Sequence, residues 1–177
     1  MIFGMTPITF LHVLLSLIGI FSGFIAVFGM IAGKRLDGWT ALFLVTTALT
    51  SITGFFFPFH KLLPSHILGI ISLVVLALAI PARYLLHLRG AWRKVYAVTA
   101  SIALNLNAFV LVAQLFMKVP SLHALAPTES EPPFLISQVA VLALFLVLTI
   151  AAAIKFRPEA LYAEGSINKE RTHLRES

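Results

Sequence analysis

The fold of this chain is decided by residues 8–32, which read ITFLHVLLSLIGIFSGFIAVFGMIA. This run contains no charged side chain and exceeds the length of about 20 apolar residues that a helix needs to cross a bilayer. No Lys or Arg precedes Lys34, so the basic region that opens a signal peptide is missing, and we expect a retained helix. The run therefore predicts a first transmembrane helix.

Four further apolar runs follow the first, at about 39–58, 66–87, 95–117 and 134–155. Polar, Pro-bounded or basic segments separate them. Since a spanning segment must satisfy its own backbone polar groups in lipid, all of these runs are expected to be helical. The sequence predicts an all-α membrane protein with a bundle of about five transmembrane helices in residues 1–157 and a basic cytoplasmic tail in residues 158–177.

Composition supports a membrane environment. Of the 177 residues, 59% are hydrophobic and 11% are charged, whereas a soluble domain typically has about 25% charged residues. There is no cysteine, which excludes disulfides, thiolate-ligated metals and a cysteine nucleophile.

The distribution of positive charge predicts the orientation. With the N-terminus outside, the outer segments hold two basic side chains, Lys61 and Lys118. The inner segments then hold eleven, which are Lys34, Arg35, Arg83, Arg89, Arg93, Lys94, Lys155, Arg157, Lys169, Arg171 and Arg175. Cytoplasmic loops are enriched in Lys and Arg, so this orientation is favoured. Contact with anionic lipid headgroups on the cytoplasmic side accounts for the net charge of +6 without a nucleic-acid partner.

Small residues form one face of the first helix. Gly19 and Gly23 are four residues apart, as are Gly29 and Gly33, and such spacing is typical of close helix–helix packing in membranes. We interpret these glycines as helix-packing residues. Two further readings stay open, a groove that admits a flat ligand beneath His12 and a face that docks a partner subunit.

Polar side chains within the spans are the candidates for a binding site, because such groups are costly in lipid and usually face the bundle interior. Most lie in the predicted outer half, and they predict an outward-facing pocket for a lipid-like or quinone-like ligand. Interhelical hydrogen bonding is the simpler reading of the same side chains. The pocket candidates are His12, His66, Asn107, Gln114, Lys118 and Gln138.

Two redox or metal alternatives depend on histidine. His12 and His66 are at matching predicted depth, and they would serve a small redox protein that is quinone-linked or that holds a b-type haem with these two residues as axial ligands. The same two residues are the candidate metal ligands, with His60, His123, Glu129 and Glu131 as further donors, but none has the spacing of a known metal motif.

Other chemistries find little support in the sequence. No G-x-S-x-G motif, phosphate-binding glycine loop or acidic residue within a span occurs, so we do not expect an enzyme. A transporter or channel subunit is a further alternative, although no repeated filter or charged ring is present.

Two segments resemble a family of small bacterial integral membrane proteins without an assigned activity. The first runs from Leu11-His12-Val13 through Gly33-Lys34-Arg35 to Gly38-Trp39, and the second is LAPTESEPPF at residues 125–134. The resemblance implies a multi-pass protein of the bacterial inner membrane and carries over no catalytic residue. We expect an accessory, non-catalytic protein that packs as a homo-oligomer or within a larger membrane complex.

Overall fold

The computed structural model describes residues 6–57 and 64–157. Within these ranges the chain is all-helical, with no strand. The helices are α1 (Pro7–Ile31), α2 (Asp37–Gly54), α3 (Pro64–Tyr84), α4 (Trp92–Lys118), α5 (Pro120–Leu125) and α6 (Pro132–Lys155). His60, Lys61 and the predicted tail at 158–177 lie outside the described residues.

Local signals explain both ends of α1. The Thr6 hydroxyl accepts a hydrogen bond from the backbone N–H of Thr9 at 3.3 Å, and Pro7 occupies the first turn, where its missing N–H costs nothing. At the other end Gly33 has a φ of +75°, which glycine adopts without strain. The N–H of Lys34 then donates to the carbonyl of Gly29 at 2.8 Å, which closes the helix in a Schellman-type turn.

The third helix is shorter than predicted. It ends at Tyr84 rather than at residue 87, because His87 (φ 49°) and Leu88 (φ 59°) both adopt the left-handed conformation. The N–H of Leu88 donates to the carbonyl of Ala82 at 3.1 Å, and the Leu88 side chain is buried. The short helix α5 was not predicted. It lies in the Pro-rich loop, which connects the fourth and fifth predicted spans at residues 118–133.

The long helices alternate in direction around α4, which contacts α1, α2, α3 and α6. The end of α3 meets the start of α2, and the start of α4 meets the residues after α6, where Arg93 donates to the carbonyl of Phe156. We call this end of the bundle the basic end. Among the described residues it holds all of the Lys and Arg side chains except Lys118, namely Lys34, Arg35, Arg83, Arg89, Arg93, Lys94, Lys155 and Arg157.

Four helices are long and apolar enough to cross a membrane: α1, α3 from His66 onward, α4 and α6. Their exposed residues include many large apolar side chains, such as Phe21, Val74, Val139 and Val147. These features indicate an integral membrane protein. The helix α2 has 18 residues and is not among the four, because Asp37 and its Thr, Ser and Gly residues make it less apolar.

The glycines of α1 are in two different settings. A Cβ added at Gly23 would lie 2.6 Å from Leu104 Cδ1 in α4 and 2.8 Å from Phe43 Cδ2 in α2. A Cβ at Gly19 would lie 3.1 Å from the Thr46 hydroxyl in α2. Gly29, in contrast, faces Leu36 in the connection to α2. Gly19 and Gly23 are thus covered by helices of the same chain, whereas Gly29 is covered by the connection to α2.

Replacing Gly23 by Ala should lower the melting temperature of the purified protein in detergent, because the new methyl group has no space between Leu104 and Phe43. Overpacking of this kind typically costs about 1–3 kcal/mol, which exceeds the gain of about 1 kcal/mol in helix propensity. The matched control is Gly38→Ala, because nothing lies within 4 Å of a Cβ at that position. Equal melting temperatures for Gly23→Ala and Gly38→Ala would contradict the tight packing at Gly23.

Candidate functional site

An arginine is buried at the basic end of the bundle. Arg83, in the last turn of α3, is only 1% exposed. Its Nη2 donates to Asp37 Oδ1 at 2.6 Å and to the carbonyl of Arg35 at 2.8 Å. A charged side chain almost never occupies such a position unless it is paired. The Arg83–Asp37 pair therefore links the end of α3 to the start of α2.

Two tyrosines complete the surroundings of the guanidinium. The Arg83 Cζ lies 5.0 Å from the centroid of the Tyr96 ring and 5.8 Å from that of the Tyr84 ring, within the range of cation–π attraction. Tyr96, near the start of α4, is fully buried. Among the described residues, the Nε and Nη1 donors of Arg83 have no hydrogen-bond partner. Attraction to the two aromatic rings thus adds to the ion pair with Asp37.

The second arginine of the cluster is accessible. Arg35 Nε lies 3.5 Å from Asp37 Oδ1, and the Arg35 side chain is 41% exposed, whereas that of Arg83 is fully buried. Because Asp37 is much closer to Arg83, the carboxylate is neutralised chiefly from inside the bundle. The group of Arg35, Asp37 and Arg83 keeps a net positive charge, and Arg35 presents it outward.

An apolar groove begins one helical turn from this cluster. It has a volume of about 310 Å³ and runs between α2 and α3, with Ala41, Val45, Ala48 and Leu49 on one side and Ile80 and Tyr84 on the other. Val45, Leu49 and Tyr84 are exposed, so the groove opens on the outer surface of the bundle. Ala41 is four residues after Asp37, which places it about 6 Å farther along the helix axis.

At the opposite end, His12 bonds to α2. Its Nδ1 lies 2.9 Å from the Thr53 hydroxyl, and its ring contacts that of Phe57 edge-on, with centroids 5.1 Å apart. His66, at the start of α3, is buried, and its ring lies 6.0 Å from that of Phe55. The helix α2 packs against both α1 and α3. It therefore stands between the two histidines that the haem hypothesis would bring together.

The amides of the predicted pocket have separate partners. Asn107 Nδ2 donates to the Thr47 hydroxyl at 3.2 Å, which joins α4 to α2. Gln138 Nε2 donates to the carbonyl of Phe109 at 3.2 Å, which joins α6 to α4. Both amide side chains are buried, whereas Gln114 and Lys118 are exposed on the last turns of α4. Of the six candidates, His12, His66 and Asn107 thus contact α2 or the residue that follows it, and Gln138 contacts α4.

No metal site is assembled in the part of the chain that the structure describes, where no three His, Asp or Glu side chains form a group that could hold an ion. Glu131 is instead bound by its own loop. Its carboxylate accepts hydrogen bonds from the Thr128 hydroxyl at 2.9 Å and from the Ser130 N–H at 3.1 Å. These bonds connect the end of the Pro-rich loop to the start of α6.

Comparisons with protein-family models, with curated proteins and with solved structures find no match.

Arg83 was counted in the sequence only as one of the basic residues that set the orientation. In the structure Arg83 lies on the same face of α3 as Ser72, Leu76 and Ala79, since residues at intervals of three or four share one helix face, and all four are buried. The nearly continuous apolar run of α3 does not indicate that this is the face that packs inside the bundle.

Replacing Asp37 by Asn should destabilise the protein, because it leaves the buried guanidinium without its counter-charge. We expect a loss of roughly 1–3 kcal/mol, less than for a fully buried pair, since the Asp37 side chain is 71% exposed. Adding Arg83→Met should recover part of the loss, because the uncompensated charge is then gone. Thermal unfolding of the single and double variants measures this coupling, and purely additive effects would contradict it.

The Thr128–Glu131 contacts predict a pH dependence. Desolvation raises the pKa of the Glu131 carboxyl, but hydrogen bonds from the Thr128 side chain and from nearby backbone amides together outweigh it, so the pKa is lower than usual. A lowered pKa in the folded state stabilises the protein above the ordinary pKa of glutamate, and the contribution disappears as the pH falls through the lowered value.

The melting temperature of Glu131→Gln should therefore lie below that of the wild type at neutral pH and approach it in acid. The control is Glu129→Gln, since none of the hydrogen bonds around Glu131 involves Glu129. A constant difference between Glu131→Gln and the wild type at all pH values would refute this role of the carboxylate.

Proposed function

We propose that this chain is a non-catalytic protein of the bacterial inner membrane that binds a lipid-like molecule in the groove between α2 and α3. The observation that carries the proposal is the position of the groove, which is apolar, opens on the lipid-facing surface and begins beside the Arg83 cluster. The proposed ligand site therefore lies at the basic end, whereas the outward-facing pocket around His12 and Gln114 stays a prediction.

The lining of the groove favours an acyl chain over other ligands. A volume of about 310 Å³ is at the lower end of the range of roughly 300–1,000 Å³ that is typical of small-molecule sites. Such sites normally contain a few polar groups that orient the ligand, but here the Tyr84 hydroxyl is the only polar side-chain group among the lining residues. A hydrocarbon chain needs no polar partner, whereas a quinone head or a polar solute does.

We further propose five crossings, with α2 as the fifth. Asp37, in its first turn, bonds to Arg83 at the basic end, and Thr53, in its last turn, bonds to His12 at the other end. At 1.5 Å per residue, its 18 residues span about 27 Å, close to the thickness of roughly 30 Å of a hydrocarbon core. The excess of Lys and Arg at the basic end supports an orientation with that end in the cytoplasm.

Photo-crosslinking tests the groove. The protein is reconstituted with a phosphatidylcholine that carries a diazirine in its acyl chain, and crosslinked peptides are identified by mass spectrometry. We expect crosslinks at α2 and α3 lining residues to be several-fold stronger than those on the exposed face of α6. Ala41→Phe should suppress them, because the phenyl ring would fill the groove. Ala41 is exposed, so the larger ring should not disturb the interior of the bundle.

The matched control is Ala140→Phe, which places the same ring on the exposed face of α6 and should leave the groove crosslinks unchanged. A crosslinking pattern that is uniform over all lipid-facing helices, or that Ala41→Phe does not alter, would overturn the proposal.

A further inference from the structure

The charges beside the groove identify the kind of headgroup that its ligand would carry. We propose that the groove selects an anionic glycerophospholipid of the leaflet at the basic end, with the phosphate held by Arg35 and one acyl chain between α2 and α3. This inference rests on the proposed function and adds the headgroup class and the residue that recognises it.

The position of Arg35 relative to the groove is the first step. Tyr84 lines the groove, and its ring lies 5.8 Å from the guanidinium carbon of Arg83. Arg83 in turn donates to the carbonyl of Arg35 at 2.8 Å, which holds the backbone of Arg35 beside the end of the groove. A chain that enters the groove at Tyr84 and Ala41 therefore has its headgroup at the level of Arg35.

The second step is that Arg83 and Arg35 lie at different distances from the carboxylate of Asp37. Arg83 Nη2 is 2.6 Å from Asp37 Oδ1, whereas Arg35 Nε is 3.5 Å from the same oxygen. Arg83 therefore takes most of the negative charge of Asp37, and the guanidinium of Arg35 keeps donors for an external anion. A guanidinium is well suited to this role, because its fork of N–H groups matches the oxygens of a phosphate.

The surrounding surface has the same sign. Lys34 is exposed next to Arg35 in the connection between α1 and α2, and Asp37 is the only acidic side chain among the described residues of the basic end. Trp39, 41% exposed, is an aromatic side chain of the kind found at the level of lipid headgroups. Basic segments at such a surface attract anionic lipids, and here the charge lies beside an apolar groove that can hold the chain.

Competition experiments separate the headgroup from the chain. Groove crosslinking by the diazirine phosphatidylcholine is measured while unlabelled phosphatidylglycerol or unlabelled phosphatidylcholine is added. We expect phosphatidylglycerol to compete roughly 5-fold better, the effect of about one basic residue at a membrane surface. Arg35→Gln should reduce this preference to near 1, and Arg35→Lys should keep part of it, because the charge remains but the fork is lost.

The matched control is Arg89→Gln, which removes an exposed positive charge from the connection between α3 and α4 and should keep the preference. Equal competition by the two lipids in the wild type, or a preference that survives Arg35→Gln, would overturn the selection of an anionic headgroup by Arg35. Either result would leave the acyl-chain site in place if Ala41→Phe still suppresses crosslinking in the groove. The headgroup proposal and the groove proposal can therefore fail independently.

Discussion

A guanidinium inside an apolar bundle must be balanced where it lies, and at the basic end much of the structure depends on this requirement. Arg83 is balanced by Asp37, in the first turn of α2, and by the carbonyl of Arg35, in the connection that leads into α2. The pair thus sets the distance between α2 and α3 at one end. Farther along the same two helices, the hydroxyl groups of Ser51 and Ser72 share a hydrogen bond, with their oxygens 3.0 Å apart. These two contacts hold the walls of the groove, which lies between them.

Hydroxyl side chains on α2 serve both the helix and its neighbours. Thr46 and Ser51 donate to the carbonyls of Leu42 and Thr47, each four residues earlier, so these donors are satisfied without a partner helix. The Thr47 hydroxyl accepts from Asn107, and it also lies near the position that a Cβ of Gly19 would occupy, at 3.3 Å. Asn107, which was a candidate for the predicted pocket, is here part of the packing of α4 against α2.

The helices were predictable because apolar runs and turn residues are local signals. The start of α1 at Pro7 and its end before Gly33 lie within one residue of the predicted boundaries. The end of α3 was not predictable in the same way. Nothing in the apolar pattern indicates that His87 and Leu88 adopt the left-handed conformation. This conformation accompanies the burial of the Leu88 side chain, which is a tertiary contact.

The candidate site was harder to predict than the fold. The sequence indicates the depth of a side chain along its helix, but it does not say which neighbouring helix that side chain faces. Depth grouped His12 with Gln114 and Lys118, but in the structure His12 bonds to α2 while the other two are exposed. Arg83 lies with the other basic residues at one end of the bundle, but its burial depends on how α3 is rotated against α2 and α4. That rotation results from contacts between helices, which a single sequence does not contain.

Chain order gives the Arg83–Asp37 contact a consequence for biosynthesis. The two residues are 46 positions apart, and the acid comes first. When the ribosome adds the arginine, α2 with its carboxylate has already been made, and α3 is the next long helix to enter the membrane. A cation that would be costly to insert alone thus arrives after its counter-ion. In the reverse order the arginine would be made before the carboxylate that balances it.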